Sequence, residues 1–331
     1  MNALSPLGWT YGLVSRARAR LYAAGLLPRH RLAGPVFAVG GLSVGGSGKT
    51  PAAALLATWL RDSGTPTAIL SRGYRGSFRG RALLVADGKA VLADAASAGD
   101  EPVLLARLVP GVVVATGRRR DEVGRFVEER FGPRAHVLDD GFQHLRLERD
   151  LDVLCLSPGD LGDRPLPAGR LREPLSAAAR ADAILLDESD ASASAVDLLE
   201  LCLDRCHRVV RRPGGCADLS GAAVPPPARP WLVAGIARPE RFRADVERLG
   251  LDVKGARFFA DHHRFRVEEL RGVAEAAAGL GADALLITAK DAVRWPAVDL
   301  PLPVRVLGLS LEVESAEELR HQVLARAKGR T

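Results

Sequence analysis

The sequence predicts an α/β protein with a mostly parallel sheet flanked by helices, followed by a second, smaller α/β domain. Three observations carry this. Short apolar runs alternate with helical patterns through the N-terminal part of the chain. A glycine-rich turn ending in Gly48-Lys49-Thr50 separates one apolar run from one helical run. The alternation then restarts beyond a stretch rich in proline and glycine. With 331 residues, 47% hydrophobic and 26% charged, the chain suits a globular protein of one large or two ordinary domains.

Taken in order, an amphipathic helix is expected over about 9–24, then a strand at 35–39 and a helix from Pro51, whose ring fits a first helical turn. Strands follow near 67–70, 112–115, 135–138, 152–156 and 183–186, with helices near 102–108 and 121–131. Residues 1–212 thus form a first domain. Residues 213–230, with Pro213, Gly214, Gly215, Gly221 and Pro225-Pro226-Pro227, read as a linker. The smaller domain, 231–331, alternates strands at 231–234, 253–258, 284–288 and 304–307 with helices at 239–249, 267–278 and from Ser315.

The turn Ser43-Val44-Gly45-Gly46-Ser47-Gly48-Lys49-Thr50 follows a strand and opens a helix, the setting of a P-loop of the NTPase type. Small residues let backbone N–H groups close around phosphate oxygens, Lys49 supplies a point charge and the Thr50 hydroxyl is a magnesium ligand. Ser43 stands where the strict pattern has its leading glycine. Of 46 basic residues only Lys49, Lys89, Lys254, Lys290 and Lys328 are lysine, so a lysine kept at this place is informative. The remaining arginine excess, beside abundant alanine and a single methionine, reads as codon bias.

The net charge of +6 and a pI near 9.5 favour an anionic partner. Aromatics make up only 5% and form no basic aromatic groove, which argues against nucleic acid. Cys155, Cys202, Cys206 and Cys216 form no CxxC pair, so reduced thiols are expected; Cys202 and Cys206, four apart on an expected helix, with His207 show no full zinc ligand set. No apolar run has the length of a spanning helix. In the N-terminal helix Leu13, Ala17, Leu21 and Ala24 share a face flanked by Arg16 and Arg18, which fits either a membrane interface or packing on the helix's own domain.

Further along, His136-Val137-Leu138-Asp139-Asp140 runs an apolar strand into two acids, the way a P-loop fold presents an aspartate to magnesium. Three polar, glycine-punctuated clusters fall where open α/β sheets place ligands: 71–76 (SRGYRG), 99–102 (GDEP) and 166–174 (LPAGRLREP). Each alone also reads as a turn, and Asp100 as a cap for the helix from Glu101. Asp261-His262-His263 fits a metal site or a solvated loop.

These blocks, with SVGGSGKTP, LDDGFQH, AGIARPERF, FADHH and ITAKDAV, run in order from 43 to 293 and closely resemble the tetraacyldisaccharide 4'-kinases of lipid A biosynthesis. The resemblance implies transfer of the γ-phosphate of ATP, with Mg2+, to the 4'-hydroxyl of an acylated glucosamine disaccharide 1-phosphate, giving lipid IVA. It also implies peripheral residence at the cytoplasmic face of a bacterial inner membrane, and two α/β domains with the active site in the cleft between them. On that basis Ser43 to Thr50 cradle the phosphates, Thr50 and Asp139 hold magnesium, Asp140 supports the metal and Glu173 lies near it. Asp100 and His262 look like the family's catalytic pair, taking the hydroxyl proton. Arg75, Arg170 and Asp163 depart from the family's pattern, and the roles of Arg72, Arg75, Arg119 and Lys290 are open. The rival reading, a P-loop ATPase switch acting through a protein partner, is opposed by the absence of a guanine-reading N-K-x-D and by Val44 at the place of a second lysine.

Overall fold

The computed structural model describes residues 5–45, 48–187 and 205–329. The chain forms two compact units. Unit 1 comprises Met1–Val210 and Leu311–Thr331, and unit 2 comprises Arg211–Ser310.

Unit 1 opens with helix α1 (Ser5–Ala23), followed by strand β1 (Val36–Gly41), helix α2 (Lys49–Asp62) and strands β2 (Thr67–Ser71) and β3 (Leu83–Asp87). Then come α3 (Ala95–Ala98), α4 (Asp100–Leu108), β4 (Val113–Thr116), α5 (Arg120–Phe131), β5 (Ala135–Leu138), β6 (Leu151–Leu156) and β7 (Ala183–Asp187). The strand order runs β3-β4-β2-β5-β1-β6-β7 and on to β8 (Cys206–Ala217). Every pair is parallel except β3 with β4. Strands buried on both faces read as continuous apolar runs, and β1 is buried at every residue. β3 has no counterpart in the sequence reading. Its signal was the run Leu83-Leu84-Val85 closed by Asp87-Gly88, and as an antiparallel edge it lacks the strand–helix alternation that marked the others.

The centre of this sheet positions the site. β1 lies between β5 and β6, so the loops leaving β1 and β5 emerge side by side. Two apolar layers cover the sheet, one including Leu70, Val123 and Leu138, the other Leu42, Phe142, Leu154 and Leu171.

Unit 2 contains the rest of β8, β9 (Ala223–Val224), β10 (Pro230–Ala234), α6 (Pro239–Arg248), β11 (Gly255–Phe258), α7 (Val267–Gly279), β12 (Ala284–Thr288), α8 (Ala289–Ala292) and most of β13 (Val304–Val313). β10 pairs in parallel with β11 and β12, and β12 with β13. Its core is built on Val233, Leu270, Leu285 and Ile287 on one face and Leu232, Phe242, Val246 and Leu286 on the other.

Three sequence expectations change here. The stretch 213–230 is not a free linker: its start completes β8 and Cys216 and Ala217 pair with β9. The final helix, α9 (Ala316–Lys328), belongs to unit 1, where its buried Leu319, Val323 and Ala327 go with packing on α2. Cys206 begins a strand rather than sharing a helix with Cys202, which lies outside the described residues. Cys155, Cys206 and Cys216 are free thiols.

Helix α1 packs on its own unit through one face and leaves another exposed. Gly8 and Gly12 are buried, and a side chain there would collide with Pro165, Ala168 or Pro174, so the helix lies closely on the 165–174 loop. With Ser15, Ala19 and Tyr22 they form the inward seam at helical spacing. The face of Leu13, Ala17 and Leu21, for which packing was one of the two readings, points outward: Leu13, Val14, Ala17 and Leu21 are exposed, and Trp9 is 78% exposed.

Candidate active site

The phosphate loop leaves β1 and enters α2 with Gly45 at φ 121° and Gly48 at φ 78° as the residue before the helix. Both conformations are in the left-handed region that side chains disfavour, which is why glycine stands at each. Gly46 and Ser47 lie outside the described residues. The N-terminus of α2 faces the loop, with its unpaired N–H groups and positive dipole end. Lys49 Nζ donates to the Gly45 carbonyl at 2.9 Å and lies 4.0 Å from Asp140 Oδ1. The ammonium is thereby folded back over the loop.

Ser43, in the place of the expected glycine, is buried and bridges Leu171 in an antiparallel contact. On either side, Val44 N–H donates to Arg170 O at 2.9 Å and Arg172 N–H to Leu42 O at 2.6 Å. The LPAGRLREP segment is thus zipped onto the entrance of the phosphate loop, a role no turn reading anticipated. Two of the residues that departed from the family's pattern hold that segment together. Arg170 Nε donates to Asp163 Oδ2 at 2.8 Å, and its Nη2 to Gly159 O at 3.0 Å.

Asp139 follows β5 and is buried, its Oδ2 accepting from Ser71 Oγ at 3.2 Å while Oδ1 is buried and accepts no hydrogen bond from the described residues. Burial pushes its carboxyl up to about 7, and the negative charges of Glu101 and Asp140 add to this against Lys49 and the Ser71 hydroxyl. An orphaned, electron-rich oxygen of this kind calls for a cation. Thr50 sits in the first turn of α2, which packs on β5. A hydroxyl, one carboxylate, phosphate oxygens and waters are the usual magnesium set in such loops, so the residues fit the ion. Among the described residues no three His, Cys, Asp or Glu side chains form a closed metal cage.

Asp140, the next residue, behaves oppositely. It takes φ 52°, and Arg172 grips it with both guanidinium ends, at 2.7 Å and 2.6 Å. Burial would raise its carboxyl, but the Arg172 hydrogen bonds and charge, with Lys49 and Arg120, hold it below the usual range. Arg172 also donates to Gly41 O at 3.0 Å, tying the end of β1 to the acid after β5. Glu173 is buried and gripped the same way by Arg180, at 2.7 Å and 2.9 Å, with Arg180 lying 4.7 Å over the Phe142 ring. In each of these two acids both oxygens accept from an arginine.

The glycine-punctuated clusters are close approaches of backbone. A side chain at Gly73 would strike Thr116 Oγ1, one at Gly76 the Ser97 carbonyl and one at Gly99 the Tyr74 carbonyl. The SRGYRG loop is thus wedged against the start of α4. Asp100 is the first residue of α4 and largely buried, with Gly99 as the residue before the helix, so the capping reading of Asp100 does not hold.

Of the open cations, Arg119 is committed to Asp121 at 3.1 Å and Glu122 at 2.6 Å. Its neighbour Arg120 was missed. It is buried, lies near Asp140, Arg72, Asp139 and Arg172, and burial lowers its guanidinium to about 10. Arg75 adopts φ 63° with its guanidinium 5.6 Å from the Tyr74 ring, and Lys290 bears on Asp291 in unit 2. Glu101, Ser71 and Arg172 were also unassigned, although each stands in a quoted block. In unit 2, His262 takes φ 60° and lies 3.6 Å from Asp261, while His263 pairs with Glu269 at 2.9 Å and stacks on Phe259.

Residues 1–328 match the family described as tetraacyldisaccharide-1-P 4'-kinase. A tetraacyldisaccharide 4'-kinase of Geobacter sulfurreducens is 43% identical over 296 residues, 87% of this chain and 82% of that protein. One from Anaeromyxobacter dehalogenans strain 2CP-C is 45% identical over 84% of this chain and 76% of its own length. Among solved structures, the "apo" form LpxK from Aquifex aeolicus in complex with ATP superposes with a TM-score of 0.82 at 33% identity, covering 98% of both chains. On its sequence, its fold and the arrangement of its phosphate loop, the chain belongs to the tetraacyldisaccharide-1-P 4'-kinase family.

Proposed function

We propose that this protein transfers the γ-phosphate of ATP to the 4'-hydroxyl of an acylated glucosamine disaccharide 1-phosphate, forming lipid IVA. The observation that carries the reading is the buried Asp139 Oδ1, without a hydrogen-bond partner among the described residues, just after the strand beside the phosphate loop, within a chain matched by the family over residues 1–328. Ser43 to Thr50 cradle the phosphates, and Lys49 places its charge on the transferred group. Thr50 and Asp139 would hold Mg2+, with Asp140, oriented by Arg172, supporting it and Glu173, oriented by Arg180, near it. Magnesium supplies charge neutralisation at the phosphates when bound. One of Asp100 and His262 accepts the proton of the attacking hydroxyl, a carboxylate and an imidazole being groups suited to it near neutral pH.

The test is transfer of labelled phosphate from ATP to the disaccharide. Asp100→Ala and His262→Ala are each expected to lower turnover by ~10^2-fold or more, the scale of a lost general base. Wild-type turnover in both variants, or ATP hydrolysis indifferent to the acceptor, would count against the assignment.

The outward face of α1 supports a second, finer part of the proposal, peripheral residence on the cytoplasmic face of an inner membrane. Trp9, Leu13, Val14 and Leu21 are exposed with Arg16 and Arg18 at the borders, as in a helix lying in a lipid interface. No helix among the described residues is long and apolar enough to cross a membrane. Deleting residues 1–24 should abolish cosedimentation with anionic vesicles; undiminished binding removes this part.

A further inference from the structure

Unit 2 contains a buried ion pair that phosphate binding does not use. Strands β10, β11 and β12 are parallel neighbours, so the segments beginning at Gly235, Phe259 and Thr288 leave from the same edge. His262, in the second segment, sits at φ 60°. For a residue with a Cβ that conformation is strained and persists where the surroundings impose it. Its own N–H donates to Gly235 O at 2.9 Å.

The third segment supplies the imposition. Asp291 is 0% exposed, and its Oδ1 accepts from Gly235 N–H at 3.0 Å and from Arg294 Nη2 at 2.6 Å. Its Oδ2 accepts from Thr288 Oγ1 at 2.6 Å. Arg294 donates through Nη2 to Gly235 O at 3.0 Å and through Nη1 to His263 O at 3.1 Å. One guanidinium fork therefore spans the carbonyl that receives the His262 N–H and the carbonyl just after His262. The aspartate holds both that fork and the other polar group of Gly235. Arg294 is itself pinned, 5.7 Å over the Phe265 ring.

A buried ion pair is a weak source of stability, because desolvation offsets most of its attraction. Its use here is geometric. We infer that Asp291 and Arg294 are positioning residues for His262, clamping the backbone on both sides of it so that the imidazole is presented in one orientation. The inference rests on His262 belonging to the proton-accepting pair. Lysine cannot replace the fork, since a single ammonium does not bridge two carbonyls in fixed directions.

The test uses the full-length enzyme, with ATP and the disaccharide acceptor, in Arg294→Lys, His262→Ala and the double variant. Arg294→Lys should lower kcat tenfold or more with KM for ATP unchanged. In the His262→Ala background the same substitution should cost less than twofold, because the group it positions is already gone. If Arg294→Lys lowers the thermal midpoint, Thr288→Val, which removes the hydroxyl that donates to Asp291 Oδ2 and accepts from Asp291 N–H, is compared in its place and should lower kcat in the same way. A kcat within twofold of wild type, or an undiminished loss in the His262→Ala background, overturns the inference. Neither of those outcomes touches the kinase assignment, whereas wild-type turnover in His262→Ala alone removes the premise instead.

Discussion

The carboxyl ends of the parallel strands in the two units solve the same problem in different ways. In unit 1 the loops after β1 and β5 concentrate charge that is open to exchange: Lys49, Asp139, Asp140, Arg120 and Arg172 interact, and Asp139 keeps one oxygen without a partner. In unit 2 the loops after β10, β11 and β12 use charge that is paired with itself and turned on backbone, with Asp291 and Arg294 bonded to each other and to Gly235 and His263. A site that must receive a polyanion and a metal keeps unsatisfied electrostatic capacity. A site that must aim one side chain spends that capacity on rigidity.

Two further experiments sharpen the contrast within unit 1, beginning with the larger expected effect. Arg172 joins Gly41 to Asp140 through its fork, so Arg172→Lys should lower kcat/KM for ATP by roughly tenfold to a hundredfold, as a misplaced phosphate site does. Steady-state kinetics at varied ATP would show this, and an effect under twofold would mean that the fork is dispensable. Asp139 gives a smaller, thermodynamic signal. With its carboxyl at about 7, Mg·ATP binding at pH 7 should release a fraction of a proton, and affinity should fall as pH drops below that value. Calorimetry in buffers of different ionisation heat measures the release, which should vanish in Asp139→Asn.

The sign for stability follows from the same shift. A carboxyl raised in the folded state contributes stability that is present below its unfolded value near 3.8 and lost as pH rises through about 7. Nucleotide-free Asp139→Asn should accordingly melt higher than the parent protein at pH 8. Equal midpoints there would show that the buried charge carries no penalty.

Much of this architecture was legible in the chain. Strands with helical connections announce themselves by composition, because a strand covered on both faces must be apolar throughout. Gly48-Lys49-Thr50 and Leu138-Asp139-Asp140 were legible for a related reason: backbone must approach phosphate, and an acid must stand at a strand's end. Segments whose role depends on a distant partner were not. Pro213 to Ala217 reads as linker and ends as strand, and α9 follows unit 2 in sequence but packs in unit 1.

The same division holds at the site. By itself the sequence determined a parallel α/β fold, the phosphate loop and the acid pair, since each is encoded by residues adjacent along the chain. Only the tertiary structure decided that Asp139 is raised and Asp140 lowered, that Arg120 rather than Arg119 attends the acids, and that Arg172 and Arg294 hold loops far from them in sequence. Burial and the direction of a guanidinium fork are properties of neighbours brought together by folding, and no spacing along one strand records them.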